Sequence, residues 1–155
     1  MGAYPDLFAA GSAFSGVPYA CFAGSGLWNS QCANGQLTKT AQQWGDLVRS
    51  GYPGYTGKRP RVQVRPPFQI SAPISKYFTQ IWHGTADTTL YPQNFDEEIK
   101  QWTNVFGVSS TPSATVQNSP LSGWTRMSYG SNFQAIRYIS PGSGLQCDML
   151  NFVSQ

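Results

Sequence analysis

Charge is what this sequence has least of. Only 11% of its 155 residues are Asp, Glu, Lys or Arg, and the formal net charge is +3. Such a chain offers little to a highly charged polymer. Its one basic cluster, Lys58, Arg59, Arg61 and Arg65, reads as a solvated loop rather than a nucleic-acid contact. Histidine occurs once, at His83, and cysteine three times. No metal-ligand spacing is present, so no metal is expected, and no cofactor either. No apolar run is long enough to span a membrane. There are no internal repeats, and no signal peptide stands at Met1.

What is present is aromatic and loop-forming. Phe, Trp and Tyr make up 14% of the chain, with 16 Gly and 11 Pro. The length allows one domain with a real core. Ring faces and neutral polar loops suit contact with neutral polymers, although core packing explains many of the same rings. Cys21 and Cys32 share a loop rich in Gly, Ser and Asn. They are either bridged, which would stiffen the loop in an oxidising compartment, or two unpaired thiols. Cys147 has no evident partner.

Residues 7–14 are small and apolar and read as a buried strand. Residues 38–49 read as a helix, with Ala41, Trp44, Leu47 and Val48 on one side and Gly51 at its stop. Residues 61–64 begin a strand that should run directly into Trp82. A stretch with three prolines, residues 65–80, interrupts it, and neither a central strand nor a helix fits there. Residues 92–106 form the clearest helix, since Phe95, Ile99, Trp102 and Phe106 repeat at helical spacing before Gly107. Residues 108–123 read as a polar loop. Residues 124–129 and 133–139 read as strands joined by Gly130-Ser131-Asn132. Residues 140–155 show no pattern.

The stretch Ile81-Trp82-His83-Gly84-Thr85-Ala86-Asp87-Thr88-Thr89 organises the rest. It reads as the end of a buried strand, a Gly turn, and an acid presented at the tip. Loops at the carboxyl ends of parallel strands carry catalytic groups, and a lone Asp there suits the acid of a Ser-His-Asp triad. Spacing alone favours an Asp that caps the turn or the next helix.

Longer motifs carry a resemblance. Tyr4-Pro5-Asp6-Leu7-Phe8-Ala9-Ala10-Gly11, Phe14-Ser15-Gly16-Val17-Pro18-Tyr19-Ala20-Cys21 and Trp28-Asn29-Ser30-Gln31-Cys32 are three of them. Others are Trp44-Gly45-Asp46, Tyr52-Pro53-Gly54-Tyr55-Thr56-Gly57, the acid stretch extended through Leu90-Tyr91-Pro92-Gln93-Asn94-Phe95, and Phe133-Gln134-Ala135-Ile136-Arg137. Together they resemble the secreted acetylxylan esterases, in the group that also holds feruloyl esterases and polyhydroxybutyrate depolymerases. The resemblance implies an α/β chain: the C-terminal part of an α/β-hydrolase fold, with a mainly parallel sheet and flanking helices. It implies serine-dependent ester hydrolysis, with Asp87 on the family's triad acid. It also implies secretion, and acetylated xylan or a related plant cell-wall polysaccharide as substrate. Trp28 and Tyr91 are the aromatic candidates for substrate contact.

The same resemblance marks what is missing. A triad needs Ser on a Gly-x-Ser-x-Gly elbow, then Asp, then His. No serine has glycine two before and two after it; Arg126-Met127-Ser128-Tyr129-Gly130 is the nearest miss. No histidine follows Arg137, and His83 reads as a turn residue of the acid motif. The N-terminal strands and the nucleophile elbow are therefore expected to be missing, and the chain to be inactive as it stands. A non-catalytic carbohydrate binder is the alternative, and feruloyl ester preference the alternative within the enzyme reading. Residues 1–63 and 81–137 are expected to form the partial esterase domain, residues 64–80 an anomalous Pro-rich insertion, and residues 138–155 a divergent tail. Both departures fit translated introns. Every valine codon begins with GT, Gln80 can be read as CAG, and Arg137-Tyr138 can be encoded as AGG-TAT.

Overall fold

A computed structural model describes residues 1–8, 11–24, 26–57, 79–131 and 133–138. The strand expected over 61–64, the basic cluster, Cys147 and most of the two departures from the family pattern lie outside these residues.

Among the described residues, five strands form one sheet in the order β1-β2-β5-β4-β3. They are β1 (Gly11–Phe14), β2 (Thr79–Gly84), β3 (Ala114–Gln117), β4 (Trp124–Tyr129) and β5 (Phe133–Tyr138). β1, β2 and β5 run parallel; β4 runs antiparallel to β5, and β3 to β4. The sheet is thus mixed, where a mainly parallel one was expected. The cause is the tight connection through Gly130, whose φ of 56° sits in the left-handed region that glycine adopts without strain. So short a link returns the chain antiparallel, whereas a parallel pair needs a long crossover.

Among the described residues, three helices accompany the sheet: α1 (Ser30–Ala33), α2 (Ala41–Ser50) and α3 (Gln93–Phe106). α2 starts three residues later than the sequence suggested. Thr40 is its cap, accepting from the Gln43 amide while the Gln43 side chain accepts from the Thr40 amide. That reciprocal box fixes the start, because it satisfies two amides the helix would otherwise leave unpaired. α3 ends at Gly107, whose φ of 65° makes the left-handed C-cap. Phe95, Ile99 and Trp102 lie one turn apart on its buried side. They join Val48, Ile81, Tyr129, Phe133 and Ala135 in the main core. Strand alternation puts Ile81, Phe133 and Ala135 on the α3 side of the sheet and Phe14, Trp82, Ile136 and Tyr138 on the other.

Two strand boundaries differ from expectation. β1 begins at Gly11 rather than at residue 7, because residues 4–7 close a turn, with the Leu7 amide on the Tyr4 carbonyl at 3.3 Å. Leu7 and Phe8 are exposed. β2 begins at Thr79, so the last two residues of the Pro-rich stretch pair with Gly11 and Ser12 on one side and Phe133 and Gln134 on the other.

Candidate active-site acid loop

The three parallel strands end together, and the acid loop leaves from the middle one. The Ser15 amide donates to the Trp82 carbonyl at 2.8 Å, and the Thr85 amide to the Tyr138 carbonyl at 2.9 Å. These bonds carry the ladder to the last residue before the turn. Asp87 then closes the loop on itself. Its Oδ1 accepts from the amides of Thr89 and Leu90, each at 2.9 Å. An aspartate that bonds the backbone two and three residues on is a turn-stabilising arrangement.

Asp87 thus serves its own turn with one oxygen. The other, Oδ2, lies 3.8 Å from His83 Nε2, beyond hydrogen-bonding distance. One carboxylate oxygen is anchored, and the two amides on it fix the plane of the carboxylate.

His83 does not donate to Asp87. Its Nε2 is 2.8 Å from the Leu90 carbonyl, an acceptor, so Nε2 carries the proton and donates it there. Burial lowers its pKa below the ordinary value, outweighing the Leu90 hydrogen bond and the charge of Asp87, which both raise it. The ring is therefore neutral, and the close approach to Asp87 is not an ion pair. His83 also stands edge-on to Phe95, with centroids 6.1 Å apart. Fully buried, with Nε2 on the Leu90 carbonyl, it is a strut under the loop. Arg137 sits above Phe95 at 4.9 Å and bonds Asp96 at 2.7 Å, closing the loop's flank.

Of the aromatic candidates, Tyr91 ends this loop and Trp28 precedes α1. Tyr91 is 44% exposed, and its amide donates to the carbonyl of Ala33, the last residue of α1, at 2.8 Å. Trp28 is 52% exposed, sits just before α1, and packs on Phe22 with centroids 5.4 Å apart. Cys21 and Cys32 are bonded as a disulfide with Cα atoms 5.8 Å apart, tying that loop to α1. Asn94 Nδ2 also donates to the Ala33 carbonyl, at 3.0 Å. α1 is thus the joint between the disulfide loop and the acid loop.

Sequence reasoning missed Phe22 and the aromatic row along the strand ends. Phe14 stacks on Trp82 at 5.6 Å, Trp82 meets Trp124 edge-on at 5.6 Å, and Trp124 meets Tyr138 at 5.2 Å. These rings come from four strands. Only the strand register brings them together, and no spacing along the chain signals it. Among the described residues, no group of three or more His, Cys, Asp or Glu is arranged to hold a metal ion. No described helix is long and apolar enough to cross a membrane.

A mixed sheet flanked by helices, with its acid loop at the carboxyl end of an inner parallel strand, defines an α/β protein. The chain is homologous to fungal feruloyl and acetylxylan esterases. It is 47% identical over 150 residues to feruloyl esterase B of Talaromyces funiculosus, covering 92% of this chain and 36% of that protein. It is 40% identical over 148 residues to acetylxylan esterase A of Aspergillus oryzae, covering 92% of this chain and 43% of that one. A solved structure, acetyl xylan esterase from Aspergillus awamori, superposes with a TM-score of 0.75 at 34% identity, over 99% of this chain and 53% of its own. The chain therefore spans about two fifths of the length of these curated relatives. No family model matches it.

Proposed function

We propose that this chain carries the acid-loop part of a carboxylic ester hydrolase that removes O-acetyl groups from xylan by a Ser-His-Asp mechanism. Asp87 is the triad acid. The observation that carries this is the division of labour in its carboxylate, with Oδ1 held by two amides and Oδ2 left to receive an imidazole N–H. A carboxylate so held fixes the tautomer of the base and stabilises its charged form. The named relatives support ester hydrolysis of plant cell-wall polysaccharide, and the disulfide supports secretion to an oxidising compartment. The sequence holds no Gly-x-Ser-x-Gly motif and no histidine other than His83. This chain alone is therefore an inactive esterase part. The α/β-hydrolase fold is the architecture this reading implies, and the strands and nucleophile elbow that it requires come from outside these residues.

The test is complementation. The chain alone should release no acetate from acetylated xylan above the buffer rate. A chimera should hydrolyse it, with residues 1–63 joined to 81–137 in place of the aligned segment of the Aspergillus oryzae relative. A folded but inactive chimera would sink the reading. The exposure of Trp28 and Tyr91 favours a second reading, carbohydrate binding without turnover. Feruloyl esters are the alternative substrate within the enzyme reading, supported by the name of the Talaromyces relative.

The domain boundaries belong to the same proposal. Thr79 and Gln80 occupy the first two positions of β2, and both are buried. Thr79 Oγ1 has no hydrogen-bond partner there. If residues 64–80 were absent and Gln63 joined Ile81, Val62 and Gln63 would take those positions. Valine has nearly the shape of threonine without the stranded hydroxyl, and the second residue is glutamine in both cases. A chain lacking residues 64–80 should therefore unfold at higher urea than the full chain. Equal or lower stability would count against an insertion at this point.

A further inference from the structure

We infer that Asn94 is a positioning residue for Asp87. It clamps the acid loop to α1 through the Ala33 carbonyl, so that the Cys21–Cys32 disulfide governs how firmly the acid is held. The bearing on catalysis rests on the role proposed for Asp87; the mechanical coupling does not.

Three observations carry it. The first is the place of the carbonyl. Ala33 ends α1, so its oxygen has no partner within that helix. Two donors reach it from the far side of the joint, the Tyr91 amide at 2.8 Å and Asn94 Nδ2 at 3.0 Å. A carbonyl oxygen has two lone pairs, so this one is saturated. The Tyr91 amide directly follows those of Thr89 and Leu90, which hold Asp87 Oδ1. Three consecutive amides therefore bind the acid to its turn and the turn to α1.

The second is the state of Asn94 itself. It is fully buried, and its Oδ1 has no hydrogen-bond partner. Burying an unsatisfied amide oxygen is costly, and a leucine of similar size would avoid that cost. What the amide alone supplies is the N–H on Ala33. Asn94 also bonds backwards, its own backbone amide donating to the Tyr91 carbonyl at 2.9 Å. It grips both sides of the joint.

The third is that α1 depends on the disulfide. It has four residues, too few for a helix that is stable by itself. Cys32, next to Ala33, is bonded to Cys21, and Asn29 caps the helix by accepting from the Cys32 amide at 3.1 Å. Just beyond α1 the chain lies against the first residue of α3. A Cβ at Gly35 would meet Gln93 Cβ at 2.5 Å, so only glycine allows the approach. Opening the disulfide returns freedom to the loop and to α1, and the Ala33 carbonyl moves with them. The clamp then passes that freedom to the turn that carries Asp87.

The test is amide hydrogen exchange of the full chain, read residue by residue by NMR. In the oxidised parent the Thr89, Leu90 and Tyr91 amides should be protected. Asn94→Ala should speed their exchange about tenfold, the loss of one hydrogen bond. Dithiothreitol should do the same to the parent, delivering two electrons and two protons to the disulfide and closing to its own cyclic disulfide. Cys21→Ala with Cys32→Ala should do so without the reagent. Amides of the β2–β5 ladder should keep their rates throughout. Both changes break one path, so reducing Asn94→Ala should add less than about threefold. Unchanged Thr89 and Leu90 exchange in Asn94→Ala, or effects that multiply on reduction, would overturn the proposal. So would exchange that rises equally through the ladder, since that is a general loss of stability. Should Asn94→Ala fail to fold, the parent decides: loosening confined to the acid loop on reduction supports the clamp, and unchanged exchange overturns it. In the active chimera Asn94→Ala should lower kcat about tenfold at little-changed KM. It should also move the acid limb of the pH profile to lower pH, because a looser carboxylate stabilises the charged base less. An inactive parent chimera would remove the esterase reading and leave the exchange result standing. An active chimera whose kcat and pH profile ignore Asn94→Ala would remove the positioning role alone.

Discussion

The acid loop and the buried side of α3 both hold carboxylates, and they dispose of them in opposite ways. Asp87 is nearly buried in its loop, with Oδ1 anchored by two amides and Oδ2 3.8 Å from His83 Nε2. Glu97 is fully buried with its oxygens consumed. It accepts from Trp44 Nε1 at 2.7 Å, Lys100 Nζ at 2.6 Å, Gln93 Nε2 at 3.1 Å and the Lys39 amide at 3.3 Å. Burial alone would raise its pKa, but these donors together hold it below the ordinary glutamate value. Glu98, the next residue, is equally buried, and its Oε2 has no partner. Burial pushes its carboxyl up to about 8, so it stays protonated at neutral pH. Asp87 is thus half-satisfied. Fully satisfied Glu97 makes a brace between helices, and Glu98, with Oε2 unpartnered, is a neutral filler.

Removing the brace should have the largest effect on stability. Glu97→Leu leaves the Trp44 indole N–H and the Lys39 amide without their acceptor and should cost about 4 kcal/mol in urea unfolding. A loss below ~1 kcal/mol would mean the network stabilises nothing. Glu98→Gln should sharpen the contrast. The folded-state pKa of Glu98 is raised, so its contribution is fully present below about pH 4.5 and is lost as pH rises through about 8. The variant should match the parent at acid pH. Above pH 8 it should exceed the parent by about 2 kcal/mol, because an amide has no proton to lose. Parallel pH profiles for the two proteins would refute the buried neutral carboxyl. The strut under Asp87 comes last. His83→Gln should cost about 1 kcal/mol by weakening the bond to the Leu90 carbonyl, and in the active chimera should lower kcat less than tenfold. A larger kcat loss than that of Asp87→Asn would reverse the roles assigned to the two residues.

Legibility in the sequence followed burial. Phe95, Ile99, Trp102 and Phe106 announced α3 because they share its buried side, and the β4–β5 hairpin was plain from its Gly turn. β3 was hidden, since Ala114–Gln117 are all exposed and carry no alternation of apolar and polar faces. They become a strand because β4 offers them a hydrogen-bonding edge. Thr79 and Gln80 were hidden for a related reason, being polar residues in fully buried strand positions, where pattern reading expects apolar ones. At Asp87 the sequence admitted either a turn cap or a site acid. The geometry shows the turn cap, with Oδ1 accepting from the Thr89 and Leu90 amides, and the site role is the one proposed for Oδ2. The pairing of Cys21 with Cys32 stayed open because spacing alone does not fix Cα separation.

The central claim is that Asp87 is the acid of a serine-esterase triad, and the most direct measurement is turnover of acetylated xylan by the chimera carrying Asp87→Asn. The expected result is a fall in kcat of about 10⁴ with an unchanged unfolding midpoint, because asparagine keeps the turn but cannot hold the base in its working tautomer. Turnover within about tenfold of the parent chimera would contradict the assignment and leave Asp87 as a turn residue alone.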